Sequence, residues 1–130
     1  MNKTCIPAIF FVITLAVFHY LGNQFYLYVK ISWYDVFMHI WGGIGIALFI
    51  YWFIITYFKK NRGEISPMTS DYFLTVVIVT LIIGIVWEGM ETYYDIAGAP
   101  VGTVDYYIDT LKDLFNDTLG SVIAYLFLRK

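Results

Sequence analysis

DYYIDTLKDLFNDTLGSVIAYLFLRK, residues 105–130, is the stretch whose reading decides the fold. Asp105, Asp109, Asp113 and Asp117 recur every fourth residue. At about 100° per residue they form a slowly turning stripe on one face of a helix, joined by Asn116, Gly120 and Ala124. Ile108, Leu111, Leu114, Phe115, Leu119, Val122, Tyr125 and Leu126 take the remaining circumference. In a water-soluble helix the stripe would be the solvated face. The rest of the chain argues against that.

Only 14% of the 130 residues are charged, while 60% are hydrophobic and 21% aromatic. Soluble domains carry about a quarter charged residues. The deficit, with apolar runs near spanning length, indicates an all-α integral membrane protein of one domain. A net charge of −2 without a basic patch gives no footing for a nucleic-acid partner. Cys5 is the single cysteine, which excludes an intrachain disulfide and a thiolate cluster. It reads as a small apolar residue at the membrane edge.

Outward from the acidic stripe, the pattern predicts a four-helix bundle with spans over about 6–29, 35–58, 72–94 and 106–128. The first starts like a signal peptide after Lys3, but no small-residue cleavage site follows, so it reads as retained. His19 within it reads as a polar residue bonded to a neighbouring helix. The second has no formal charge from Val36 to Phe58, and Gly42, Gly43 and Gly45 allow close helix approach. Gly63 and Pro67 mark the polar connector as a loop. The third ends in WEGMETYYD, which puts Glu88, Glu91 and Asp95 on adjoining parts of one face. Gly98, Pro100 and Gly102 then break the chain before the last helix, and the loop from Ile96 to Val104 reads as an ordinary connection.

Lys3, Lys59, Lys60, Arg62, Arg129 and Lys130 fall on one side of this arrangement. The positive-inside rule makes that side cytoplasmic, so the topology is N-in/C-in. The start of the second span, the end of the third and the start of the fourth then share the opposite side. Asp35, His39, Glu88, Glu91, Asp109, Asp113 and Asp117 converge there. Asp117 precedes Arg129 by twelve residues, about 18 Å of helix, which sets it inside a hydrocarbon core about 30 Å thick. An isolated carboxylate at that depth costs roughly 2.5–3.5 kcal/mol, and facing acids repel as well. The available protein cations are His39, Lys112 and Lys30, with Lys112 expected to snorkel outward. A bound cation would resolve the imbalance.

Carboxylates with one imidazole and no thiolate suit Mg²⁺, Mn²⁺, Zn²⁺ or Fe²⁺. Asp35, His39, Glu88, Glu91, Asp109, Asp113 and Asp117 are the candidate metal ligands. His39, as a general base oriented by a carboxylate, and Glu88 are the catalytic candidates. The plainer alternative is a protonated acid network that only fixes helix packing. Trp33, Tyr34, Trp41, Trp87, Tyr93, Tyr94, Tyr106 and Tyr107 read as an interfacial aromatic belt.

DVFMH followed by glycines, WEGME at a span end and DTLKDLFNDTLG in the last span resemble the YjdF-type bacterial inner-membrane proteins over 33–126. The Asp35–His39 spacing is also similar to that of VanZ-like proteins. The resemblance implies a multi-pass protein of the bacterial plasma membrane and points to the same seven residues. It supplies no reaction. Two active roles are therefore carried forward. One is a metal-dependent enzyme acting at the outer leaflet on a lipid or lipid-phosphate of the membrane or cell envelope. The other is a cation or proton transporter, for which four spans would call for a homo-oligomer. A non-catalytic membrane module is a third. H-E-x-x-H, G-x-S-x-G and Walker signatures are absent, and Arg62 and Arg129 lie on the wrong side to clamp a phosphate.

Overall fold

The computed structural model describes residues 5–62, 70–94, 96 and 98–128, in which every regular element is helical. The connector around Gly63 and Pro67, together with Lys3, Asp95, Arg129 and Lys130, lies outside the described residues. The elements are α1 (Cys5–Gln24), α2 (Leu27–Lys30), α3 (Tyr34–Arg62), α4 (Ser70–Tyr93) and α5 (Val104–Leu128).

The expected first span is not one helix. α1 stops at Gln24, and Tyr26 takes a left-handed conformation at φ 56° before the single turn of α2. A residue with a Cβ visits that region at a cost, and here it turns the chain so that Tyr28 faces back onto α1. The start of α5 follows helix-end chemistry closely. The Thr103 hydroxyl accepts from the Tyr106 N–H at 3.3 Å, and Asp105 sits in the first turn, where the helix dipole favours a negative charge.

Ile6–Gln24, Tyr34–Tyr57 and Tyr72–Tyr93 are long and apolar enough to cross a membrane. α5 is not among these spans, and its polarity is inside out. Its buried residues are Asp113, Asn116, Asp117, Gly120, Ser121 and Ala124, whereas Leu111 and Phe115 are 67% and 68% exposed. Water would reward the opposite arrangement.

α3 is the central element. α5 and α1 pack on different sides of it, and α4 packs against α5 and α3. The α3–α5 contact is backbone to backbone. A Cβ at Gly43 would strike the Asp117 carbonyl, and one at Gly120 would strike the Ile40 carbonyl and the Ile44 nitrogen. The pair of glycines thus sets how near the acidic stripe comes to α3. Beyond it, Ala47, Leu48, Tyr51, Ile54, Val76 and Ala124 form an apolar core towards the end of α3 that carries Arg62.

α1 is held on α3 by specific polar ties. The Trp41 indole donates to Thr14 Oγ1 at 2.9 Å, and Tyr34 Oη donates to the Phe18 carbonyl at 2.6 Å. α1 makes no backbone-level packing with α4 or α5 among the described residues. The bundle is therefore open along its α1–α4 side.

Candidate functional site

The glycine contact brings His39, one turn into α3, against two turns of α5. His39 Nδ1 lies 3.3 Å from Asp117 Oδ1, and both side chains are buried. That is long for a charge-assisted bond but sets the ring's orientation. With Nδ1–H donated to Asp117, Nε2 presents its lone pair to Asp35 Oδ1 at 3.7 Å and Asp113 Oδ1 at 3.8 Å. Asp35 reaches the ring from the preceding turn of its own helix, as the four-residue spacing requires.

A lone pair facing two carboxylates is repulsive; a proton on Nε2 or a cation bound between them removes the repulsion. Asp113 sharpens this conflict, since its side chain is only 3% exposed and its Oδ1 has no hydrogen-bond partner. A buried, unbonded carboxylate oxygen is expensive to keep. Asp35, His39 and Asp113 each offer one ligand atom, all within 4.8 Å of one another. A tetrahedral ion with bonds of about 2.1 Å holds its ligands about 3.4 Å apart. The 3.7 and 3.8 Å separations close to that value with small side-chain rotations.

Lys112 does not snorkel away from the cluster. Its Nζ pairs with Asp109 and lies 3.5 Å from Asp35 Oδ2 and 3.7 Å from Asp113 Oδ1. Its three-residue spacing from Asp109 was the available signal. Asp35, Asp109, Asp113 and Asp117 still outnumber Lys112 and a charged His39 by two.

Glu88 and Glu91 lie apart from this triad. Glu88, on α4, is 8% exposed; its Oε2 accepts from Thr110 at 2.9 Å and its Oε1 has no partner. Glu91 accepts from the Trp87 indole at 2.8 Å and borders a cavity beside the cluster. Asp105 is exposed at the start of α5. His19 is bonded to the Tyr28 hydroxyl at 2.9 Å, a partner that only the turn at Tyr26 creates and that helical spacing could not reveal. Between α4 and α5, Gly98 occupies the space beside the Asp109 carboxylate.

Two cavities meet here. One of about 380 Å³ runs between α1 and α4 from apolar residues up to Asp35, His39 and Asp117. The other, of about 510 Å³, is lined mainly by polar residues, including Asp109, Lys112 and Asp113. His19, Tyr28, Asp35 and Glu91 border both.

An apolar exterior around a buried acid–histidine cluster agrees with what the whole chain is similar to. The family described as "Predicted membrane protein (DUF2238)" matches residues 4–130. The chain belongs to that family. The YjdF-type proteins are the same family, while the likeness to VanZ-like proteins finds no support in the match. No curated protein and no solved structure matches the chain. Family membership therefore establishes a membrane protein, and the chemistry has to be argued from the side chains.

Proposed function

We propose that this is a four-span protein of the bacterial plasma membrane, N-in/C-in, that holds a divalent cation between Asp35, His39 and Asp113 near the outer leaflet. The observation that carries the reading is the buried, unbonded Asp113 Oδ1 facing the same gap as His39 Nε2. Mg²⁺, Mn²⁺, Zn²⁺ and Fe²⁺ all suit such oxygen and imidazole donors. Asp117 locks the imidazole so that Nε2 faces the ion, as partners behind metal-bound histidines do elsewhere. Lys112 and Asp109 form the adjoining pair that offsets part of the remaining charge.

We further propose that the site acts on a membrane or cell-envelope lipid. When bound, the ion would supply a Lewis acid for a phosphoryl or carbonyl oxygen. Glu88, held through one oxygen by Thr110 and with the other making no hydrogen bond, is the candidate proton carrier. A transport reading draws on a different observation: Asp105, Asp109, Asp113 and Asp117 pass from exposed to buried along one helix. Such a ladder suits cation entry.

Elemental mass spectrometry on detergent-purified protein tests the shared premise. Stoichiometric metal is expected in the parent and none in a His39→Ala, Asp113→Asn double variant. No metal after reconstitution with each of the four ions would end the metal reading. Turnover of a purified lipid then favours the enzyme, and ion flux into sealed vesicles favours the transporter.

A further inference from the structure

The open α1–α4 side has a polarity that runs along its length. Val12, Leu15, Met38, Ile46 and Ile83 line its deep part, and His19, Tyr28, Asp35 and Glu91 its outer end. From Asp35 to Ile46 is eleven residues, about 16 Å along α3. Val12 and Ile83 are 44% and 40% exposed, so the cleft reaches the lipid-facing surface between two helices that do not touch at backbone level. His19 and Trp87 meet edge to face at 5.5 Å across the outer end of that gap.

An apolar slot open sideways to the bilayer and ending at a polar cavity has the form of an amphiphile. The polar cavity limits which amphiphile. Asp35, Glu91, Asp105, Asp109 and Asp113 face it against Lys112, which is already paired with Asp109. A headgroup with only negative charge would meet net repulsion there, while an ammonium group would find acids to pair with. The buried Asp113 Oδ1 on this cavity's wall accepts no hydrogen bond, its nearest cation being Lys112 Nζ at 3.7 Å.

We propose that the α1–α4 cleft takes one chain of a zwitterionic phospholipid, with its ammonium-bearing headgroup in the outer acidic cavity. The proposal rests on the reading of the cluster as an outer-leaflet lipid site and names the lipid it takes. The phosphate of the same headgroup comes within reach of Lys112 and the proposed cation, and the ammonium pairs with Glu91 and Asp105.

Two phospholipids carrying a diazirine in one acyl chain test this, one with an ethanolamine and one with a glycerol headgroup. Each is placed in nanodiscs with the full chain, irradiated, and the adducts mapped by mass spectrometry. Metal content is measured on the same samples. Adducts from the ethanolamine lipid should concentrate on 12–19 and 83–87, about tenfold above the glycerol lipid. Ala16→Trp, which fills the cleft from α1, should remove them while leaving adducts on the outer faces of α3 and α5. Glu91→Gln, in case the tryptophan variant does not fold, should bring the two lipids towards parity.

Adducts spread evenly over all exposed helix faces would overturn the cleft, and equal cleft labelling by both lipids would overturn the headgroup assignment. Either result with metal present leaves the cation site standing. Selective cleft labelling in protein that holds no metal sustains the lipid proposal and removes the cation.

Discussion

Replacing Asp113 with Asn separates a cation site from a packing network, because the two make opposite demands on the same atom. The side chain is 3% exposed, its Oδ1 has no hydrogen-bond partner, and His39 Nε2 and Lys112 Nζ lie 3.8 and 3.7 Å from it. Asparagine keeps the shape and removes the charge. In the metal-free protein this relieves repulsion from Asp35 and Asp109, so the unfolding midpoint should hold or rise. With metal the outcome reverses. At a free ion concentration of 100 times Kd, binding stabilises the parent by about 2.7 kcal/mol. Loss of a group that only orients a ligand weakens metal affinity roughly 10–100-fold, and loss of a ligand should do no less. A 100-fold weaker Kd leaves about 0.4 kcal/mol at the same concentration. The expected result is an upward thermal shift of several degrees with metal in the parent, nearly absent in Asp113→Asn. The assay is intrinsic tryptophan fluorescence during heating, in detergent, with Mg²⁺, Mn²⁺, Zn²⁺ and Fe²⁺ in turn. Equal shifts in parent and variant would refute the ligand role of Asp113. A parent that responds to no ion, beside an equally stable variant, would leave the acids as a packing network.

Three further outcomes follow from the same geometry. Asp117→Ala should weaken metal binding about 10–100-fold by freeing the His39 ring, yet change it little when His39 is already Ala; competition titration against a fluorescent chelator reads both, and equal losses in the two backgrounds would show that Asp117 does not act through His39. Gly120→Ala should destabilise by about 1–3 kcal/mol or more, since its Cβ meets the α3 backbone rather than a movable side chain; a thermal midpoint matching the parent would mean that α3 and α5 stand farther apart. With Cys5 replaced by Ser, a cysteine at exposed Val101 should react in intact cells with a membrane-impermeant maleimide, and one at Tyr57 should not; the reverse pattern would invert the topology.

Much of the architecture was legible because a bilayer leaves an unusually plain signature. Three apolar runs of spanning length needed only counting, and the acidic stripe of α5 showed its pairing face directly. The polar stripe turns inward, so the helix that looks amphipathic in the ordinary sense packs the other way round. The meeting of Asp35 with His39 followed from helical spacing, and Gly43 flagged where another helix could approach. What spacing could not show was which helix would use that glycine. Asp113 and Asp117 reach His39 only because Gly120 lies opposite, so that α5 rather than α1 or α4 takes the closest place. Glu88 and Glu91 shared a face with each other on paper, yet α4 directs them to Thr110 and Trp87 instead of the imidazole. The turn at Tyr26 was hidden for a simpler reason: nothing in NQFYLY is a glycine or proline, and a left-handed tyrosine has no local sequence mark.

If the proposed cation binds, Lys112 gives the cluster a way to persist while that cation comes and goes. A site made only of carboxylates would have to fold against its own repulsion before any ion arrived. Lys112 is tethered to Asp109 and within 3.7 Å of both Asp35 and Asp113, so it lends a positive charge to the ligands without entering the gap before His39 Nε2. Its flexible stem lets it withdraw towards Asp109 when a divalent ion takes up the Asp35 and Asp113 charge. The lysine and the metal are on this view alternating partners of the same two acids. On the same view Asp109, already paired with Lys112, is where the displaced ammonium would go.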